Sequence, residues 1–202
     1  MGVDLGIRQL IATSAYYGWG DSLLDTIKND FEGSKRFICE QIPKGSIWLY
    51  NWSIENDANV IVLENLNFST MKADKNMVFV LKNLWDYIRK DSHKYGIRVE
   101  LVSPQYTSQI CSNCGRKGIR DTDEFRCPYN NCHITENADV NGAKNVGARY
   151  IFEKAFSDIR QGKKLWDSYY LAVFRKTLSI RILDAQLERS KLEPLLNKYN
   201  LT

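Results

Sequence analysis

Seven side chains in this sequence have the types and spacing to do chemistry: Cys111, Cys114, Cys127 and Cys132, and the acids Asp4, Glu64 and Asp139. The cysteines fall into two pairs, Cys111-x2-Cys114 and Cys127-x4-Cys132, twelve residues apart, with Gly115 and Pro128 at the knuckle turns. Zinc takes four such thiolates in a tetrahedron, and two tight turns supplying them let a short segment fold without a core of its own. Clustered thiols without a metal are the plain alternative, and His133, beside Cys132, is a second candidate for the fourth ligand. A site closed by four protein ligands keeps no open position, so it is expected to be structural.

The acids need a scaffold to bring them together. Residues 2 to 8 and 10 to 16 read as two strands; in the first, Met1, Val3, Leu5 and Ile7 alternate with Gly2, Asp4, Gly6 and Arg8, so Asp4 lies on a face kept bare by glycine. Asn59 to Glu64 is a short, continuous β-branched run, expected as a strand buried on both faces and ending in an acid. Asp139 opens a helix rich in small residues that runs to Tyr150. Each acid has an ordinary explanation, as a turn residue, a solvated strand end or a first-turn helix acid. Gathered at the carboxyl ends of strands, where open α/β sheets bind ligands, they would repel one another unless hard cations such as Mg²⁺ sat among them. Two such ions about 4 Å apart can activate water and stabilise the leaving oxygen of a phosphodiester.

Between these points, residues 21 to 56 read as mostly helical with a break at Pro43-Lys44-Gly45. Residues 76 to 95 carry Met77, Leu81, Leu84, Trp85 and Ile88 at helical spacing and stop at Gly96, and Ile97 to Val102 reads as a further strand. The whole is a mixed α/β domain. The net charge of +4 is compatible with a polyanionic partner but too small to demonstrate one. No stretch approaches the roughly 20 apolar residues of a membrane span. No secretory signal opens the chain, and clustered cysteines fit a reducing compartment, so a cytoplasmic, intracellular protein is expected.

The segments GVDLGIRQLIATS, VIVLENLN, YGIRVELVSPQYTSQICSNCGRKG and FRCPYNNCHITENADVNGAKNV resemble the three RuvC motifs and zinc ribbon of the TnpB (OrfB) family and of type V CRISPR effectors, in the family's order. The resemblance extends over roughly residues 1 to 152. It implies an RNase H-like (RuvC) mixed sheet flanked by helices, with an inserted zinc ribbon. It also implies a DNA endonuclease dependent on Mg²⁺ or Mn²⁺ and guided by an RNA, with Asp4, Glu64 and Asp139 holding the catalytic metals and a product carrying a 5′ phosphate and a 3′-hydroxyl. The cysteine quartet then holds structural Zn²⁺. An arginine near the ribbon often assists in these enzymes, and Arg120 and Arg126 are the candidates. Asn141 and Asn145, one helical turn apart, match the family's asparagines and are expected to support the site by hydrogen bonds.

Two departures matter. Thr135-Glu136-Asn137-Ala138-Asp139 replaces the family's usual His-Asp-Arg-Asp type run, which changes the neighbours of the third acid. The first motif also stands at the start of the sequence, where the family's guide-binding and duplex-binding regions usually precede it, so guide RNA is expected to be held mainly by regions outside this sequence. The expected organisation is a nuclease core over 1–106, a ribbon over 107–136, and the third-motif helix with an amphipathic tail over 137–202. That tail, with Trp166, Tyr169, Tyr170 and Phe174, could dock an upstream lobe or stack on a single strand. A non-cutting docking or strand-holding module is the competing function. An RNase H-like transposase or junction resolvase fits less well with a ribbon just before the third acid.

Overall fold

A computed structural model describes residues 1–5, 9–17, 21–28 and 35–160. A five-stranded sheet forms the centre, built from β1 (Gly2–Asp4), β2 (Gln9–Tyr17), β3 (Asp21–Lys28), β4 (Val60–Glu64) and β5 (Arg98–Val102), in the order β3-β2-β1-β4-β5. β1, β2 and β3 form an antiparallel meander, with Gly2 opposite Ser14 and Asp4 opposite Ala12. β4 lies parallel to β1 and β5 parallel to β4, with Glu64 opposite Val102. This is the RNase H-like mixed sheet that the motifs imply.

Helices cover both faces. On one, α1 (Lys35–Glu55) and α2 (Lys75–Asp91) enclose a core in which Val3, Leu5, Ile11, Ile61 and Leu63 meet Leu49, Tyr50, Leu81, Leu84 and Ile88. On the other, α3 (Ala138–Arg160) packs on β1 and β2 and closes Val146 over Val62 and Val102. The run in β4 therefore sends Ile61 and Leu63 one way and Val62 the other, which is why it shows no polar alternation. Asp74 caps α2 by accepting from the Asn76 and Met77 amides, and Gly96, at φ +68°, ends the following 3-10 turn.

The glycine face of β1 has a steric reason. A Cβ on Gly2 would run into the Ala143 carbonyl oxygen and the Gly147 backbone, so α3 can approach this closely only over glycine. Gly2→Ala is expected to push α3 from the sheet and cost about 1–3 kcal/mol. In a chain of this size that lowers Tm by roughly 2–4 °C per kcal/mol, a shift thermal denaturation reads directly.

Two expectations are corrected. Residues 21 to 28 are a strand, not part of a helix: Leu23, Leu24 and Ile27 suit a helical face as well as a strand, and the antiparallel pairing with β2 decides between them. The break at Pro43 is absent, since α1 runs through it without interruption. Pro43 lacks the amide that would bond one turn back, at a cost of about 3 kcal/mol. Burial of Ile42, Leu49, Tyr50 and Trp52 offsets that cost, and Ser46 Oγ donates to the Pro43 carbonyl at 2.9 Å.

A second, three-stranded antiparallel sheet follows, of β6 (Ile119–Asp121), β7 (Glu124–Arg126) and β8 (Thr135–Asn137). Its small core is Phe125 with Cys111, Cys127 and Ala138, and β8 runs directly into α3. The amphipathic tail lies outside the described residues. Among those described, no helix is long and apolar enough to cross a membrane.

Candidate metal centres

β1 and β4 are parallel neighbours, so Asp4 and Glu64, at their carboxyl ends, emerge at the same edge of the sheet. Asp139 is brought there by α3. Asn137 caps that helix, its Oδ1 accepting from the Asp139 amide at 3.0 Å and the Val140 amide at 3.1 Å, which sets Asp139 in the first turn. Gly142, one turn on, faces Asp4, and a Cβ there would collide with the Asp4 carboxylate. The three acids line one cleft of about 820 Å³ together with Thr107 and Arg120.

The electrostatics agree with the geometry. Burial raises the Asp4 pKa well above its ordinary value, the charges of Glu64 and Asp139 raise it further, and Arg120 opposes them. Burial also raises Glu64, against a hydrogen bond from Thr107 and the positive charge of Arg149. Both carboxyls are raised by folding, so they contribute stability that is present below their unfolded values near pH 4 and is lost as pH rises through the folded values. The zinc-loaded chain free of other divalent ions is therefore expected to melt at lower temperature as pH rises above the ordinary carboxylate range, and Mg²⁺ is expected to flatten that slope. Melting curves across the range, with and without Mg²⁺, check this.

Strand register separates the two arginines. Arg120 stands opposite Phe125, which is fully buried, so it shares the inward face of the ribbon sheet; Arg126 stands opposite exposed Ile119 on the outward face. Arg120 Nη2 accordingly reaches Asp139 Oδ1 at 2.7 Å, while Arg126 pairs at 3.0 Å with Glu124, both half exposed, and does not line the cleft. Asn141 and Asn145 do not bond to the acids. Asn141 accepts from the Ser112 amide and donates to the Ile110 carbonyl, both at 2.8 Å, and Asn145 donates to the Thr107 and Ile110 carbonyls, also at 2.8 Å. They pin the ribbon's entry segment to α3.

Four further residues at this junction are not among the site residues that the sequence singles out. Thr107 donates its hydroxyl to Glu64 Oε1, and Arg149 donates to the carbonyls of Ser103 at 2.5 Å and Gln105 at 2.7 Å. Glu136 accepts from Ser112 Oγ at 2.8 Å and pairs with Lys144, so the altered run before Asp139 supplies a clamp between ribbon and helix. Each of these contacts joins residues from separate elements, which no local pattern records.

The donor sets fit two kinds of ion. The sulfurs of Cys111, Cys114, Cys127 and Cys132 all lie within 4.8 Å of one another, with Cys111–Cys132 at 3.6 Å and Cys114–Cys127 at 3.5 Å. A tetrahedral zinc thiolate site has sulfur–sulfur edges of about 3.8 Å. Burial raises the Cys114 thiol, but hydrogen bonds from Arg116, Cys127 and Cys111 outweigh it and bring its pKa down to about 7, whereas burial pushes the Cys111 and Cys127 thiols up. His133 lies outside this group, whose four donors are all cysteines. The oxygen donors Asp4, Glu64 and Asp139, with the buried Asp4 carboxyl facing the charges of the other two and set against Gly142, suit a hard divalent cation.

Comparisons with known proteins bear on the family. Residues 82–146 match the family described as Cas12f1-like, TNB domain. The CRISPR-associated endodeoxyribonuclease Cas12f1 of an uncultured archaeon is 29% identical over 128 residues, 57% of this chain and 24% of that protein. The CRISPR-associated endodeoxyribonuclease Cas12f2 of a Micrarchaeota archaeon is 33% identical over 81 residues, 37% of this chain and 15% of that protein. Among solved structures, a Cas12f1–sgRNA–target DNA complex superposes with a TM-score of 0.56 at 20% identity, over 72% of this chain and 48% of that one. A CRISPR-Cas12f ternary complex gives 0.53 at 17% identity, over 72% and 37%. This chain thus spans about a quarter or less of these curated relatives.

Proposed function

We propose, since the chain carries the RuvC-type domain and inserted ribbon of the TnpB and type V CRISPR-effector family, that it is the divalent-metal-dependent DNA endonuclease lobe of an RNA-guided protein. The observation that carries this is the convergence of Asp4, Glu64 and Asp139 on one cleft with Arg120 beside them. Its partners are a DNA substrate and a guide RNA held mainly by regions outside this sequence, and it acts inside the cell on nucleic acid.

Asp4, Glu64 and Asp139 would hold Mg²⁺ or Mn²⁺, two ions in a site of the two-metal kind, and when bound these would supply a nucleophilic water near neutral pH and offset the charge of the phosphodiester. The remaining work falls to the chain. Arg120 places a permanent positive charge at the cleft where a scissile phosphate would sit, and such a group stabilises charge that builds up on phosphate oxygens. The cleft edge is held from three sides: by the Asn137 cap on α3, by Trp85 Nε1 donating to the Glu64 carbonyl at 3.0 Å, and by the Asn65 amide on the Val102 carbonyl at 2.8 Å. Preorganised acids of this kind need no rearrangement at the moment of reaction.

The experiment is cleavage of labelled single-stranded DNA by the purified chain with Mg²⁺ or Mn²⁺, beside Asp4→Ala and an EDTA control. Metal-dependent cutting that disappears in the variant supports the proposal. Cutting that survives EDTA or the variant contradicts it, and metal binding without any cutting favours a strand-holding module.

A further inference from the structure

Glu64 is gripped at its side chain by a residue that the metal site itself does not require. Thr107 is buried, lines the cleft, and donates its hydroxyl to Glu64 Oε1. Thr107 Oγ1 also lies 3.0 Å from the Pro104 carbonyl oxygen, yet a hydroxyl has one proton to donate. A carboxylate is the stronger acceptor, so the proton goes to Glu64 whenever Glu64 is charged.

The backbone that carries Thr107 is fixed to a degree that a packing role would not need. Tyr106, just before it, sits at φ +62°, a left-handed conformation that costs a non-glycine residue about 1 kcal/mol or more. From α3, Asn145 holds the Thr107 carbonyl and Arg149 holds the Ser103 and Gln105 carbonyls on the other side of the kink. Two α3 side chains thus stabilise a strained turn whose outcome is one hydroxyl aimed at one carboxylate oxygen.

We propose that Thr107 is a positioning residue for the cation site: by occupying Oε1 it fixes the rotamer of Glu64 and directs the second oxygen, Oε2, to the ion. This rests on the metal-site reading above. Partners that orient a ligating carboxylate change metal affinity by about 10–100-fold when removed. Thr107→Val keeps the shape and loses the hydroxyl, whereas Thr107→Ser keeps the hydroxyl.

The test is a Mn²⁺ titration of the zinc-saturated full chain, by calorimetry and by paramagnetic detection of free Mn²⁺, with Tm recorded for each protein. The expected result is affinity lowered about 10-fold or more in Thr107→Val and within about 2-fold of the parent in Thr107→Ser. Should the valine chain fail to fold, Thr107→Ala against Thr107→Ser makes the same comparison. Equal Mn²⁺ affinity in the folded valine or alanine chain and the parent overturns the role of Thr107 while leaving the metal site standing. A parent chain that binds no Mn²⁺ overturns the metal-site reading, and this inference with it.

Discussion

Cys111→Ser is expected to remove zinc from the chain and unfold the ribbon while the central sheet stays folded. Zinc binding contributes on the order of 10 kcal/mol to the folding of small ribbons at neutral pH, and the ribbon's own core is small, Phe125 and Ala138 with the cysteines and with Tyr129 and Ile134 packed beside them. The sheet of β1 to β5 has its own core against α1 and α2 and is expected to hold without the ribbon. The loss should nonetheless be felt at the cleft. Cys111 follows Ile110 and precedes Ser112, both held by Asn141, and Thr107 lies on the same segment. Hydrogen exchange should therefore show protection lost over residues 110–137 and kept in β4, with zinc stoichiometry falling to zero. Retained zinc would remove Cys111 from the ligand set, and loss of protection in β4 would mean that sheet and ribbon fold as one unit.

Asp4→Asn is expected to separate stability from activity. The substitution removes the charge most strongly opposed by burial and by Glu64 and Asp139, so the divalent-free chain should gain about 1 kcal/mol and melt roughly 2–4 °C higher. Cutting should fall by roughly 10²–10⁴-fold, the equivalent of about 3–5 kcal/mol of lost charge stabilisation. Asp139 is a poorer choice for this experiment, because its ion pair with Arg120 means that Asp139→Asn also takes away a favourable partner. A melting temperature that drops in Asp4→Asn would mark Asp4 as a structural acid. Unchanged cutting in a cleaving assay would take it out of the catalytic set.

Much of this architecture was legible in the residues because single patterns determined it. The unbroken run Val60-Ile61-Val62-Leu63 needs both of its faces buried, and the structure buries them between α2 and α3. The bare face on which Asp4 lies is legible in the sequence, and at Gly2 it is the backbone of α3 that fills the space a side chain would take. The cysteine spacing carries the ribbon. What escaped depends on distant partners. The strand character of Asp21–Lys28 comes from pairing with β2, and the continuity of α1 past Pro43 comes from tertiary burial. Arg120 could not be told from Arg126 in the sequence because both flank the same hairpin, and only the register opposite Phe125 turns one inward. Thr107 carried no signal because its partner, Glu64, is 43 residues away.

On the proposed reading, Asp4, Glu64 and Asp139 form one divalent-cation site. Crystals of the zinc-loaded chain soaked in Mn²⁺, with anomalous data collected on both sides of the manganese edge, test it most directly. The account predicts manganese density between the three carboxylates, lost in crystals of Asp4→Ala, with zinc density confined to the four cysteines. Manganese absent from the cleft at saturating concentration, or present there unchanged in Asp4→Ala, would contradict it.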